Sequence, residues 1–111
     1  MVQLSSSFDL AEIEAGQVLA LRGRLDVAVA PDVRLALAAA VRGGSAELVL
    51  DLSGLDTVDA TGLGVLVGAH RHAGREGRVL VLRDVGPTVA RLLFVSRLDR
   101  VLRTTRTAAC A

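Results

Sequence analysis

The run Glu47-Leu48-Val49-Leu50-Asp51-Leu52, followed by Ser53-Gly54-Leu55-Asp56-Thr57-Val58 and then Asp59-Ala60-Thr61-Gly62-Leu63-Gly64-Val65-Leu66, decides the reading of this chain. Its first six residues are too few for a helix and nearly continuous in apolar side chains, as in a strand covered on both faces. The next six read as a loop. Over residues 61–75 apolar positions recur at helical spacing, and Gly77 follows at the end. Strand, loop and helix in this order are the repeating unit of an α/β domain.

Working outward, residues 4–10 and 17–22 are short apolar-rich segments joined by a polar stretch, as in an antiparallel hairpin. Pro31-Asp32 marks a helix start, since the first turn needs no amide donor there and favours negative charge. That helix is expected over 31–42 with Val33, Leu37, Ala40 and Val41 in the core, and Gly43-Gly44 stops it. Residues 78–83 form another strand, and a third helix begins near Pro87, turning Val89, Leu92 and Leu93 inward. Residues 98–102 are expected to add a short final strand. The predicted architecture is one α/β domain over residues 1–103 with a mixed sheet of four to five strands, and residues 104–111 form a flexible tail.

Length and composition exclude several function classes. A chain of 111 residues is one domain. No apolar run is long enough to span a bilayer, and the first residues have no signal-peptide pattern, so a cytoplasmic protein is expected, without direct membrane insertion. The 13 basic residues, all arginine, are balanced by 12 acidic ones and read as scattered along the chain. With Phe8 and Phe94 as the only aromatics, nucleic acid is not an expected partner. The absence of lysine removes Schiff-base and P-loop chemistry. Cys110 is the single cysteine and suggests no thiol site.

No catalytic constellation emerges, so the chain is not expected to be an enzyme. His70 and His72 point in different directions on their helix, His70 toward the core and His72 toward solvent, and neither has a partner at metal-ligand spacing. Asp51, Asp56 and Asp59 lie near the end of the central strand but read as turn and helix caps. No metal site and no cofactor are expected.

Asp59-Ala60-Thr61-Gly62 is the expected functional loop. Either Asp59 or Thr61 can accept hydrogen bonds from the free amides of the first helical turn, and a phosphate on Thr61 is compatible with the positive end of the helix dipole. On a helical wheel Leu63, Leu66, Val67, His70 and Ala73 share the core face, while Gly64, Gly68, Arg71, His72 and Arg75 face outward. Two outward glycines cost about 2 kcal/mol together relative to alanine. They permit close approach of a partner whose acids Arg71 and Arg75 can pair.

Gly23-Arg24-Leu25-Asp26, Val49-Leu50-Asp51-Leu52-Ser53-Gly54-Leu55, Val58-Asp59-Ala60-Thr61-Gly62-Leu63-Gly64-Val65-Leu66 and Pro87-Thr88-Val89-Ala90-Arg91-Leu92-Leu93, in this order and spacing, resemble the STAS domain family, specifically the bacterial anti-sigma factor antagonists. The resemblance covers nearly the whole chain. It implies helices packed mainly on one face of the sheet and a partner-switching role. Such an antagonist binds an anti-sigma factor that is also a Ser/Thr kinase and so frees a sigma factor; phosphorylation ends the binding and a phosphatase restores it. Asp26, the Asp59 loop and the helix after it would face the kinase. The usual phosphoacceptor follows the loop aspartate, and here that residue is Ala60, leaving Thr61 as the phosphorylation candidate. STAS domains also serve as ligand-sensing or transporter-associated regulatory subunits, which is the alternative expectation.

Overall fold

The computed structural model describes residues 2–5 and 7–107. Seven strands and three helices follow one another as β1 (Val2–Ser5), β2 (Phe8–Glu14), β3 (Val18–Leu25), α1 (Ala30–Arg42), β4 (Glu47–Asp51), β5 (Leu55–Val58), α2 (Ala60–Arg75), β6 (Val79–Arg83), α3 (Pro87–Val95) and β7 (Arg103–Thr105), with a single 3-10 turn at Leu98–Arg100. All of these strands belong to one mixed sheet. Six lie in the order β1-β2-β3-β4-β6-β7, and β5 pairs with β3 off this path. The first three are antiparallel neighbours, and every later pairing is parallel.

The sheet gains its length from a step in β3. Residues Val18 to Ala20 pair with β4, and Gly23 to Leu25 pair with β5, so two short strands succeed each other along one edge of a longer one. Gly23 makes the step possible: it sits at φ 95°, and a side chain there would collide with the Ser7 carbonyl. Its amide donates to the Gly54 carbonyl at 2.9 Å. The chain leaves β5 directly into α2, which places the start of that helix beside the end of β3.

Period-two alternation turns Phe8, Leu10, Leu19, Leu21, Leu48, Leu50, Leu80 and Leu82 into the same core that receives Val33 and Leu37 of α1, Leu66 and Ala73 of α2, and Val89 and Leu93 of α3. Helices α1 and α2 pack side by side, and α3 rests against β5. Arg78, 3% exposed, closes the end of this core opposite the α2 start. Its guanidinium donates to the carbonyls of Ala40, Val41, Gly16, Ser45, Ala46 and Glu47. The first two of these lie in the last turn of α1, where carbonyls lack partners further along the helix and the helix dipole favours a cation; Ala40 also accepts from the Gly43 amide at 3.2 Å.

Four expectations are corrected. The strand expected over 4–10 is two, broken between Ser5 and Phe8. The loop expected over 53–58 contains β5, so the sheet has seven strands rather than four to five. The final strand is not at 98–102, where the backbone turns in a 3-10 helix after Arg97 at φ 63°. It lies instead at Arg103–Thr105, across the boundary expected at 103, and Asp84 accepts from both the amide and the hydroxyl of Thr107. The rest of the expected tail, 108–111 with Cys110, lies outside the described residues. Finally, Leu92 is half-buried rather than core.

Candidate functional site

At the start of α2 the Asp59 carboxylate serves two segments. One oxygen accepts from the Gly62 amide at 2.7 Å, capping the helix, and the other accepts from the Val27 amide at 3.0 Å. Asp59 is therefore the cap that the sequence left open between it and Thr61. Its own amide donates to the Leu25 carbonyl at 3.2 Å. Asp26 organises the neighbouring turn: its carboxylate accepts from the Ala28 amide at 3.0 Å, and its carbonyl accepts from Ala30 at the head of α1. Two segments 32 residues apart, the Asp26 turn and the Asp59 loop, thus form one surface. Val27, exposed beside Asp59, belongs to it and was not foreseen, because an apolar turn residue carries no local signal.

The residues that follow divide sharply by environment. Ala60 is exposed on the first turn and Thr61 is half-buried. Gly62 is buried, and a Cβ there would meet the Leu25 carbonyl oxygen and lie 2.8 Å from the Val58 side chain. Only glycine lets α2 start this close to β3 and β5. Gly64 and Gly68, by contrast, face open space. Arg71 and Arg75 are exposed on the same side. The buried stripe of the helix runs through Gly62, Val65, Leu66, Ala69 and Ala73, so Val65 and Ala69 join the core while Leu63, Val67 and His70 sit at its margin. His72 is less solvated than expected and lies 3.7 Å from Glu76 in an i,i+4 pair. Gly68, His72 and Arg75 line a groove of about 280 Å³ against Arg34 of α1.

The carboxylates near the end of the central strand have separate duties. Asp51 lies 3.4 Å from Arg83 and accepts from the Ser53 amide at 3.0 Å. Burial alone would push its carboxyl up, but the Ser53 and Arg83 hydrogen bonds outweigh that and hold it below its ordinary value. Among the described residues no three His, Cys, Asp or Glu side chains are grouped to hold a metal ion. No described helix is long and apolar enough to cross a membrane. What the site offers is shape at a capped helix start, free backbone approach at two glycines, and exposed cationic side chains on the later turns of the same helix.

A mixed sheet with helices gathered on one face, and a helix start bound to the preceding β–α turn, define a STAS-type domain. The chain belongs to the STAS family: the family model described as Mlab, STAS domain matches residues 2–104. It is 33% identical over 86 residues to the anti-sigma F factor antagonist of Paenibacillus polymyxa, covering 77% of this chain and 74% of that protein. The crystal structure of an anti-sigma factor antagonist from Mycobacterium paratuberculosis superposes with a TM-score of 0.71 at 27% identity, over 91% of this chain and 86% of that one. A STAS domain protein from Planctomyces limnophilus shares the fold, with a TM-score of 0.73 at 19% identity over 91% of each chain.

Proposed function

We propose that this chain is a non-enzymatic interaction module that acts as an anti-sigma factor antagonist in the cytoplasm, binding an anti-sigma factor with kinase activity and so releasing a sigma factor. The observation that carries the reading is the double role of Asp59, which joins the Asp26 turn to the start of α2. Asp26, Gly64, Gly68, Arg71 and Arg75 extend that joint into one partner surface, and the curated relative of similar length is an anti-sigma F factor antagonist. Ala60 holds the exposed place where the family's acceptor hydroxyl is expected, so binding is not ended by phosphate at that residue. Thr61 is the remaining hydroxyl in the loop, and it is half-buried.

The test is to incubate the chain with each anti-sigma kinase of its own organism and ATP, then measure intact mass, modified site and binding by calorimetry. Wild type is expected to bind one kinase and to stay unmodified, whereas Ala60→Ser gains one phosphate and then loses binding. Phosphate on Thr61 in wild type would overturn the unswitched reading. Failure to bind any such kinase, with the chain folded, would overturn the partner assignment.

A further inference from the structure

The C-terminal end of α3 and the segment after it carry an uncovered apolar centre inside a basic frame. Phe94, Val95 and Val101 are 72%, 70% and 49% exposed. Two shallow grooves flank Phe94. One, of about 410 Å³, has Val85, Ala90 and Leu93 in its wall with Asp99 and Arg106 at its edge, and the other, of about 350 Å³, runs past Val95, Arg97, Asp99 and Arg100.

The charge distribution corrects the reading of scattered cations. Residues 85–107 hold five arginines against the single Asp99, whereas residues 1–84 hold eight arginines against eleven acids. Arg91, Arg97, Arg100, Arg103 and Arg106 are all exposed, and among the described residues none of them is in an ion pair. An exposed aromatic whose two grooves carry Arg97, Arg100 and Arg106 against Asp99 alone has the composition of a protein interface centre.

We propose that this end of the molecule is a second docking surface and that it takes an acidic amphipathic segment of another protein. Apolar side chains at helical spacing would enter the grooves beside Phe94, and flanking carboxylates would meet the planar guanidinium forks. A bilayer would reach the exposed Phe94, Val95 and Ala90 but not Leu93, which is buried at the groove floor. Single-stranded nucleic acid would find one aromatic platform and no second. The surface shares no residue with the one built on Asp26 and Asp59, so the two readings stand or fall separately.

The test uses the full chain and a fluorescein-labelled helical peptide of ~15 residues, leucine at every third or fourth position and glutamate elsewhere, read by fluorescence anisotropy. A matched peptide with lysine for glutamate, and phosphatidylglycerol vesicles, are the other arms. Saturable binding of the acidic peptide is expected. It should be weakened about tenfold by Phe94→Ala and equally by Arg97→Glu with Arg100→Glu, absent for the lysine peptide, and unchanged in Asp59→Ala. These positions are exposed, and thermal melts check that each variant is folded. No saturable binding, or equal affinity in the variants, overturns the proposal. Vesicle binding lost in the same variants without peptide binding assigns the patch to a membrane. Self-association in sedimentation that Phe94→Ala abolishes assigns it to a second copy. Either result also overturns it.

Discussion

The Arg78 guanidinium donates a 2.6 Å hydrogen bond to the Gly16 carbonyl, tying the β2–β3 turn to the end of α1 from a position at the head of β6. Five more carbonyls share the same side chain, and among the described residues no carboxylate is its partner. The charge is held by oriented peptide dipoles instead of an ion pair. Removing it strips a bond from six carbonyls, of which those to Ala40 and Val41 are buried, and a buried acceptor left unsatisfied costs about 1–3 kcal/mol when water cannot replace the donor. Arg78→Ala is expected to lose at least ~3 kcal/mol, a large part of a typical domain's total. Arg78→Lys should lose about half as much, because three donors cannot serve six acceptors. Urea unfolding checks both, and an unchanged midpoint for Arg78→Met would mean that desolvating the cation cancels its bonds.

Glycines of α2 should respond in opposite directions. Gly62→Ala forces a Cβ against the Leu25 carbonyl and the Val58 side chain, so it should destabilise by about 1–3 kcal/mol. Gly68→Ala meets nothing and should stabilise the isolated domain by up to ~1 kcal/mol. If Gly68 serves close approach of a partner, the same variant binds the proposed anti-sigma factor partner more weakly while melting higher. Equal affinity with a raised melting temperature would remove Gly68 from the interface.

The helices were legible because their signals are local. Pro31 and Pro87 sit in first turns, Asp59 is a cap residue, and Gly43 and Gly77 stand at the ends. Much of the sheet was less so. Leu55-Asp56-Thr57-Val58 is a strand only because β3 steps at Gly23 and leaves an edge to be filled, and two of its four side chains are exposed and polar. Residues 98–102 alternate enough to suggest a strand, yet Leu98 accepts from the amides of Val101 and Leu102 in a helical turn. At the site, the Asp59 loop was legible as a helix start. Its link to Val27 was not, since nothing in either segment encodes a contact across 32 residues. The same holds for Arg78, which reads in sequence as the first residue of a strand.

Acid should loosen the end of β7 before it unfolds the domain. Hydrogen bonds from the Thr107 hydroxyl and amide hold the Asp84 carboxyl below its ordinary value, and Asp51 is lowered as well. A carboxylate with a depressed folded-state value contributes stability that is complete above its unfolded value, about 3.9, and is lost as pH falls through the folded value. Amide exchange at Thr107 is therefore expected to rise below about pH 4, ahead of core amides. In Thr107→Ala the Asp84 titration should move back toward ordinary carboxylate behaviour. Carbon-detected NMR titration of both aspartates checks this, and an unmoved Asp84 in Thr107→Ala would show that the clamp does not set its acidity.

Asp59 should be replaceable by asparagine for half of its work. Asparagine has one oxygen, so it can cap Gly62 or accept from Val27, and its amide would face a donor at the other place. Asp59→Asn is expected to keep the helix cap and cost ~1 kcal/mol, while Asp59→Ala loses cap and tie together and costs ~2 kcal/mol. The diagnostic readout is local. In Asp59→Asn the Val27 amide should exchange faster while the first amides of α2 stay protected, and in Asp59→Ala both should open. Should the two variants loosen α2 equally, with Val27 unaffected, Asp59 would be a cap alone, and the Asp26 turn would have to be held to the helix start by β3 and β5 without it.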